Sequence, residues 1–457
     1  MNIYIHVEIS ARELDSKLLL ATIAAAKGHQ VIISDLPGIS GGINKGLLAP
    51  GVFHTKSLTP TKKKIERHKN FLKKGFIVTS IDEEGGLDVD GYDEFSNTRY
   101  SDITIDQSSS IFAWGNDDVN ALKSKYPKHS SKIIKTGSPR ADLWKPLFSD
   151  YWINFENKPQ KPFLLISSNL TFANYMRPLH ESIKNQSKAG YYERYPWLLE
   201  YHFGVTAENY LTTYEFIKAI KYLSKHSNGY DIVLRPHPVE DIKIWKTYLE
   251  GVNNVHVIRE DSISAWVNTA FAVMHSGCTT AFEATISQKP VISYDPYSRK
   301  YGNELPNKLG SRVENLEDLL SEVKKNFKNL KENKKNDSRA ILPKIVSEKV
   351  FIDENELAAE KIIKIWESLD NNSFSQNNNW IKFETFLKYK KFRESIGKLL
   401  KKFLPTIFGR NNESYKFIPF NKHDISKRIS KLQYILALDK KLECKLLSDR
   451  TILIKKH

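Results

Sequence analysis

Two stretches of this chain each carry an apolar run straight into a polar turn, and they restrict the fold more than any other feature. Residues 231–238 read Asp-Ile-Val-Leu-Arg-Pro-His-Pro, and residues 273–283 read Val-Met-His-Ser-Gly-Cys-Thr-Thr-Ala-Phe-Glu. A short buried strand that ends in a rigid or helix-opening turn belongs to an open α/β sheet, whose ligands bind at the C-terminal edge. The first turn offers a cation and an imidazole. The second offers small residues and hydroxyls. The pair predicts a pocket for a phosphate-bearing ligand.

The rest of the chain alternates in the same way. Asn2–Val7 reads as a strand, Ala11–Lys27 as a helix stopped by Gly28, and Gln30–Ser34 as the next strand, which is a βαβ opening. Gly38–Gly46 reads as a glycine-rich loop and Thr59–Lys74 as a basic helix; Phe76–Ile81, Ile103–Ile105, Ile111–Trp114 and Lys132–Lys135 read as strands. The pattern breaks at Thr136-Gly137-Ser138-Pro139-Arg140, which predicts a hinge between domains near 137–160. A second α/β unit starts at Phe163–Ser167 and continues through strands at Ile232–Leu234, Val255–Ile258, Ala272–Met274 and Val291–Tyr294, with helices at Ser262–Asn268 and Thr279–Ser287 between them. Such alternation predicts α/β with mostly parallel sheets. The polar run Asn371–Asn379 reads as a linker. The expected domains are 1–145, 146–370 and a tail, 371–457.

Composition narrows the setting. Met1–Ser10 lacks a cationic segment followed by an apolar core, and no run of about 18 apolar residues occurs, so a cytoplasmic location is expected. Cys278 and Cys444 are the only cysteines, which suits a reducing compartment and argues against a structural zinc; no metal and no cofactor are expected. Of the net charge of +16, the tail carries +13, from 20 Lys and Arg against 7 Asp and Glu. A basic tail predicts an anionic surface as partner. Within it Ile396, Leu399, Leu400, Phe403, Leu404, Ile407 and Phe408 recur at helical spacing, with Lys398, Lys401 and Lys402 on other faces and Pro405 set to kink or end the helix. That stripe suits a helix on anionic lipid, or a helix docked on the body of the protein. No nucleic-acid-binding module is recognisable, and nucleic acid is not an expected partner.

The candidate site residues follow from the turns. In Arg235-Pro236-His237-Pro238 the prolines stiffen the exit from the strand and aim Arg235 and His237 at the ligand edge. Arginine can hold a phosphate through two hydrogen bonds, and histidine can donate one more or protonate a leaving phosphate. In the second turn Gly277 admits a close approach, Ser276, Thr279 and Thr280 carry donors, and Glu283 stands one turn on, placed to accept from ribose hydroxyls. Plain helix capping by Ser276 or Thr279 is the structural alternative. Asp82-Glu83-Glu84-Gly85 follows a strand of the first domain. Repulsion among three adjacent carboxylates makes one of them a candidate acid, base or nucleophile, while a solvated loop is the plain alternative. Glu8, Arg12 and Glu13 sit at the first strand–helix junction, where Glu13 complements the helix dipole or lines the same cleft. Asn169, Thr171 and Asn174 read as turn chemistry.

An ordered set of motifs resembles a family of bacterial surface-carbohydrate biosynthesis proteins that look like GT-B glycosyltransferases. The set is Glu8-Ile9-Ser10-Ala11-Arg12-Glu13-Leu14-Asp15, Ala24-Ala25-Ala26-Lys27-Gly28-His29, Asp82-Glu83-Glu84-Gly85, Phe112-Ala113-Trp114-Gly115, Thr136-Gly137-Ser138-Pro139-Arg140-Ala141-Asp142, Leu234-Arg235-Pro236-His237-Pro238 and His275-Ser276-Gly277-Cys278-Thr279-Thr280-Ala281-Phe282-Glu283-Ala284. The resemblance covers roughly residues 1–370. It implies two Rossmann-like domains facing across a cleft, with acceptor on the first and nucleotide-sugar donor on the second. The Arg-Pro-His-Pro turn is similar to the His-Pro motif of the Kdo transferases and bacterial sialyltransferases. That likeness implies a CMP-linked 2-keto-3-deoxy acid as donor, with Arg235 and His237 on the nucleotide phosphate. It implies an acidic residue among Asp82, Glu83 and Glu84 as catalyst, and the basic tail is expected to hold the chain at the inner face of the bacterial membrane, near a lipid-linked or oligosaccharide acceptor. A similar motif in CDP-glycerol transferases keeps alcohol-phosphate transfer as an alternative, and a non-enzymatic glycan-assembly protein is another.

Overall fold

A computed structural model describes residues 1–85, 87, 96, 98–153, 157–174, 179–188, 190–302, 304–332, 342–369, 378–403 and 417–457, with side chains of 398–403 left aside. Residues 371–377 of the expected linker and the stripe residues Leu404, Ile407 and Phe408, with Pro405, lie outside the described residues. The chain forms two units. The first comprises Met1–Gly86, Gly91–Leu143 and Ser347–His457; the second comprises Leu87–Asp90 and Trp144–Val346.

In the first unit β1 (Asn2–His6), β2 (Gln30–Ser34), β3 (Val52–Thr55), β4 (Ile77–Ile81), β5 (Ser110–Ala113) and β6 (Ile133–Lys135) form one parallel sheet. Its order is β2-β1-β3-β4-β5-β6, so the winding reverses between β1 and β3. Ile3, Ile5, Val31, Ile33, Val52 and Phe53 are fully buried, as strands covered on both faces require. Helix α1 (Ser10–Ala26) packs on this sheet and buries Leu18, Leu19 and Leu20 completely. Segment 102–106, read as strand from its isoleucines, is a helix instead: Ser101 and Thr104 form a capping box that sets its start.

The glycine-rich segment read as a loop is also helical, α2 (Leu36–Asn44). Asp35 Oδ1 accepts from the Gly38 N–H at 2.8 Å, and Pro37 stands in the first turn, so the start signals outweigh the glycines. The glycines serve packing. A Cβ on Gly42 would come within 2.6 Å of Phe383, which belongs to the tail helix Trp380–Phe403 and is fully buried.

The tail is therefore built into the first unit. Its hairpin, β13 (Leu442–Ser448) and β14 (Thr451–Lys456), adds antiparallel to β2 and extends the sheet to eight strands. Ser34 and Thr451 hydroxyls lie 2.7 Å apart across that seam. Of the amphipathic stripe, Ile396 is exposed. Residues 347–369, assigned from sequence to the second domain, pack here as well. Trp366 is fully buried on helix Ala358–Ser368 and donates to Thr79 Oγ1 at 3.0 Å, so burial of this tryptophan draws the helix to β4.

The second unit holds β7 (Phe163–Ser167), β8 (Asp231–Arg235), β9 (Val255–Val257), β10 (Ala272–His275), β11 (Val291–Tyr294) and β12 (Ser311–Val313), all parallel. The order β12-β11-β10-β7-β8-β9 puts its reversal between β7 and β10. Its core gathers Leu164, Ile166, Phe216, Ile232, Leu234, Trp245 and Met274. No described helix is long and apolar enough to cross a membrane.

Candidate functional site

Both ligand-edge turns of the second unit lie where the sheet reverses, but they are not on adjacent strands. The Arg235 turn leaves β8, the Ser276 turn leaves β10, and β7 runs between them. Two strand spacings, about 10 Å, separate the tips. The end of β7 fills the gap: Ser167 Oγ lies 3.1 Å from Thr280 Oγ1 and 3.3 Å from Cys278 Sγ, and Asn169 Nδ2 donates to the Gly277 carbonyl at 3.3 Å. Asn174, read as turn chemistry, donates from Nδ2 to Thr213 Oγ1 at 3.3 Å.

Around the β10 tip several buried polar atoms have no hydrogen-bond partner among the described residues: Ser276 Oγ, His275 Nε2 and Asn307 Nδ2. Asn307 Oδ1 meanwhile accepts from the Gly277 N–H at 2.6 Å, and Gly277 takes φ of 66°, a left-handed conformation that favours glycine. Burial drives the His275 imidazole down to about 3, with Arg299 pushing the same way, so the ring is neutral. The following helix, Thr280–Ile286, has only seven residues, and Thr279 stands at its N-cap without a side-chain capping bond. Neither Ser276 nor Thr279 is thus spent on capping, the use that would have explained them structurally. Glu283 is buried, and its charge acts on Arg235.

Arg235 is occupied differently from the phosphate contact expected of it. Its guanidinium donates to the carbonyls of Arg259 (3.0 Å), Asp261 (2.9 Å) and Glu260, and stacks on Trp266 at 5.4 Å. Burial lowers its pKa to about 10, against the pull of Asp261 and Glu260. A buried cation seeks the nearest fixed acceptors, and here these are the loop after β9. Arg235 therefore shapes the floor of the turn.

The residue that organises this turn was not singled out from sequence. Glu240 is fully buried and accepts from the N–H groups of Leu170 (2.9 Å) and His237 (3.2 Å), Trp245 Nε1 (2.7 Å) and Ser168 Oγ (3.0 Å). Burial raises its carboxyl above the usual range, and these donors pull it back. It ties the β7 and β8 turns together and leaves His237 half-buried at the tip. His237 Nδ1 accepts from the Val239 N–H at 3.4 Å, so a neutral ring carries its proton on Nε2.

In the first unit the three acidic residues fare differently. Asp82 is buried and held by Arg99 through a two-pronged contact of 2.9 and 2.8 Å. Glu83 is buried and paired with buried Lys17 of α1. Glu84 is about half-exposed, 3.1 Å from Arg99 and 3.8 Å from Arg12. Glu13 is fully buried at the β1–α1 junction, where it accepts from the Glu8 N–H at 2.8 Å and meets Lys56 at 3.7 Å. Burial pushes its carboxyl up, but Lys56, Arg12 and that N–H outweigh burial and hold it below the usual range. Lys56 also binds Glu8 at 2.7 Å, linking the ends of β1 and β3 across the reversal point. No group of three or more His, Cys, Asp or Glu among the described residues is arranged to hold a metal.

No protein-family model matches the chain, and no curated protein matches it in sequence. Solved structures do. A protein assigned as UDP-N-acetylglucosamine 2-epimerase from Listeria monocytogenes is similar with a TM-score of 0.50 at 13% identity, covering 81% of this chain and 97% of that one. The UDP-GlcNAc 2-epimerase of Methanocaldococcus jannaschii is similar with a TM-score of 0.47 at 12% identity, over 80% of this chain and 100% of that one. With two Rossmann-like parallel sheets in two units, the chain has an α/β fold of the GT-B type.

Proposed function

We propose that this protein is a glycosyltransferase that draws its sugar from a nucleotide donor bound at the β7–β10 reversal of the second unit. The observation that carries this reading is the set of buried, unpartnered polar atoms on Ser276, His275 and Asn307 at that crevice. Buried polar groups are nearly always hydrogen-bonded, so a polar ligand is the economical explanation. Ser276 and Thr279 would donate to the phosphate, His237 Nε2 would add a proton donor from the β8 tip, and Glu283 would meet the ribose. Charge growing on the departing phosphate is thereby stabilised by fixed donors.

The donor we favour is a CMP-linked 2-keto-3-deoxy acid, Kdo or a nonulosonic acid, on the strength of the Arg-Pro-His-Pro turn. The acceptor would be a lipid-linked or oligosaccharide chain of a surface polysaccharide. A general base must reach the acceptor hydroxyl. Of the three acidic residues Glu84 is the accessible one, so we assign it that role, with Asp82 and Glu83 holding the loop through Arg99 and Lys17. The basic tail would keep the enzyme at an anionic membrane face.

Calorimetry with CMP, CDP and UDP tests the donor site. Selective CMP binding, weakened in Ser276→Ala and lost in His237→Ala, is expected. The structural neighbours named above are described with uridine nucleotides, and a preference for UDP here would replace the donor assignment. Incubation with CMP-Kdo, CMP-nonulosonic acids and CDP-glycerol then separates sugar transfer from alcohol-phosphate transfer. Absence of turnover with every nucleotide donor tried would sink the enzymatic reading.

A further inference from the structure

Charge at the ligand edge of the first unit does not balance. Glu83 has Lys17, Asp82 has Arg99, Glu84 has Arg99 and Arg12, Glu8 has Lys56, and Glu13 has Lys56 and Arg12. Two cations remain beyond these pairs, Lys64 and Arg67 of helix α3 (Lys62–Lys73). They stand three positions apart, on one face of the helix. Among the described residues no carboxylate comes within ion-pairing distance of either. Lys64 Nζ donates only to neutral partners, Ser57 O and Oγ, each at 2.9 Å. The Arg67 side chain makes no hydrogen bond among the described residues, although its Nε is buried.

Both cations are withdrawn from water. Burial lowers Lys64 to about 8, and Arg67 pushes it further in the same direction, against the pull of Asp82. Burial also lowers Arg67. Lys64 reaches Ser57, just past the end of β3, and the field of Arg67 reaches His6 at the end of β1, which places the pair beside the β1–β3 reversal. His6 Nδ1 is itself buried without a hydrogen-bond partner. Two adjacent like charges, half-buried and with no carboxylate in contact among the described residues, are costly to the folded chain alone. Such an arrangement persists when a ligand supplies the missing anion.

We propose that Lys64 and Arg67 form a subsite for a dianionic phosphoryl group on the molecule that the first unit binds. Lys64 and Arg67 together carry the charge that a dianion would meet, and an arginine–lysine pair gives a planar fork beside a point charge, both suited to phosphate oxygens. That this molecule is the glycosyl acceptor rests on the preceding reading; the anion site does not.

The test uses the full chain at constant ionic strength set with chloride. Inorganic phosphate and glycerol phosphate are titrated into wild type, Lys64→Gln and Arg67→Gln, and CMP is titrated in parallel. Wild type is expected to bind both phosphates, and each variant to bind them about tenfold more weakly or worse, with CMP affinity unchanged. Tighter binding of glycerol phosphate marks a group carried on a larger molecule, and equal binding marks a site for the phosphoryl group alone. Loss of CMP binding in wild type would end the donor reading and leave this site standing. Thermal unfolding without phosphate gives a second readout. Arg67→Gln should melt no lower than wild type, because it removes a half-buried charge that no described carboxylate pairs. A clear fall in melting temperature would make Arg67 a structural residue, and phosphate binding by the variants equal to wild type would likewise overturn the subsite.

Discussion

The two sheets reverse their winding at corresponding places and furnish those places with opposite chemistry. At β1–β3 the edge is crowded with full charges: Glu8, Arg12, Glu13, Lys17, Lys56, Asp82, Glu83 and Arg99 are joined in buried or half-buried ion pairs. At β7–β10 the strand tips are joined instead by neutral hydrogen bonds, a seam of Ser167, Asn169, Gly277, Cys278 and Thr280. Ion pairs in a low dielectric hold a loop stiffly and resist loss of one partner. Small hydroxyl and amide groups leave room and unspent donors for a ligand. One fold thus makes one edge that is rigid through ion pairs and another whose seam is receptive through small neutral groups.

The largest test of that contrast is Lys17→Met, which strands Glu83 in the interior. It should cost about 3–5 kcal/mol in denaturant unfolding, and the double change with Glu83→Leu should recover much of the loss. A loss below about 1 kcal/mol would show that the pair does not stiffen this edge. Next, Arg235→Gln should destabilise by about 2–4 kcal/mol even without nucleotide, since three carbonyls lose a charged donor. Unchanged stability with lost nucleotide binding would return Arg235 to direct phosphate contact.

Acid should separate the units. His6, His54 and His68 are buried in the first unit, and His202 and His275 in the second. Burial holds His6 near 4, His68 near 3 and His275 near 3, and His54 well below its ordinary value. Below pH 6.5 the unfolded chain takes up protons that these folded rings refuse. Each ring therefore withdraws up to about 1.4 kcal/mol per pH unit as pH falls from 6.5 toward its folded value. Hydrogen exchange from pH 7 to pH 5 should show the first unit opening before the second. The smallest expected effect is Ser276→Ala: about threefold to tenfold weaker nucleotide binding, with stability within about 0.5 kcal/mol.

What was legible in the sequence was what local chemistry decides. The strands of both sheets announce themselves through short apolar runs, and the prolines of 236 and 238 and Gly277 mark turns whose backbones only a few residues can adopt. Glu240 was invisible because its four kinds of donor, from Ser168, Leu170, His237 and Trp245, converge only after the sheet has formed. Lys17 and Glu83 are 66 positions apart, and nothing in Asp-Glu-Glu reveals which carboxylate will be paired. Glycines at 41 and 42 spell a loop until Phe386 and Phe383, far along the chain, supply the surfaces that need them small.

The insertion of the second unit has a consequence for biosynthesis. Trp144–Val346 is continuous, whereas the first unit is assembled from segments on either side of it. Residues 442–456 pair with β2, so the ribosome has delivered the whole inserted body before the opening sheet gains its outer strands. The domain made first is finished last, and until then the free side of β2 is an open edge of the kind that nascent chains rely on chaperones to shield.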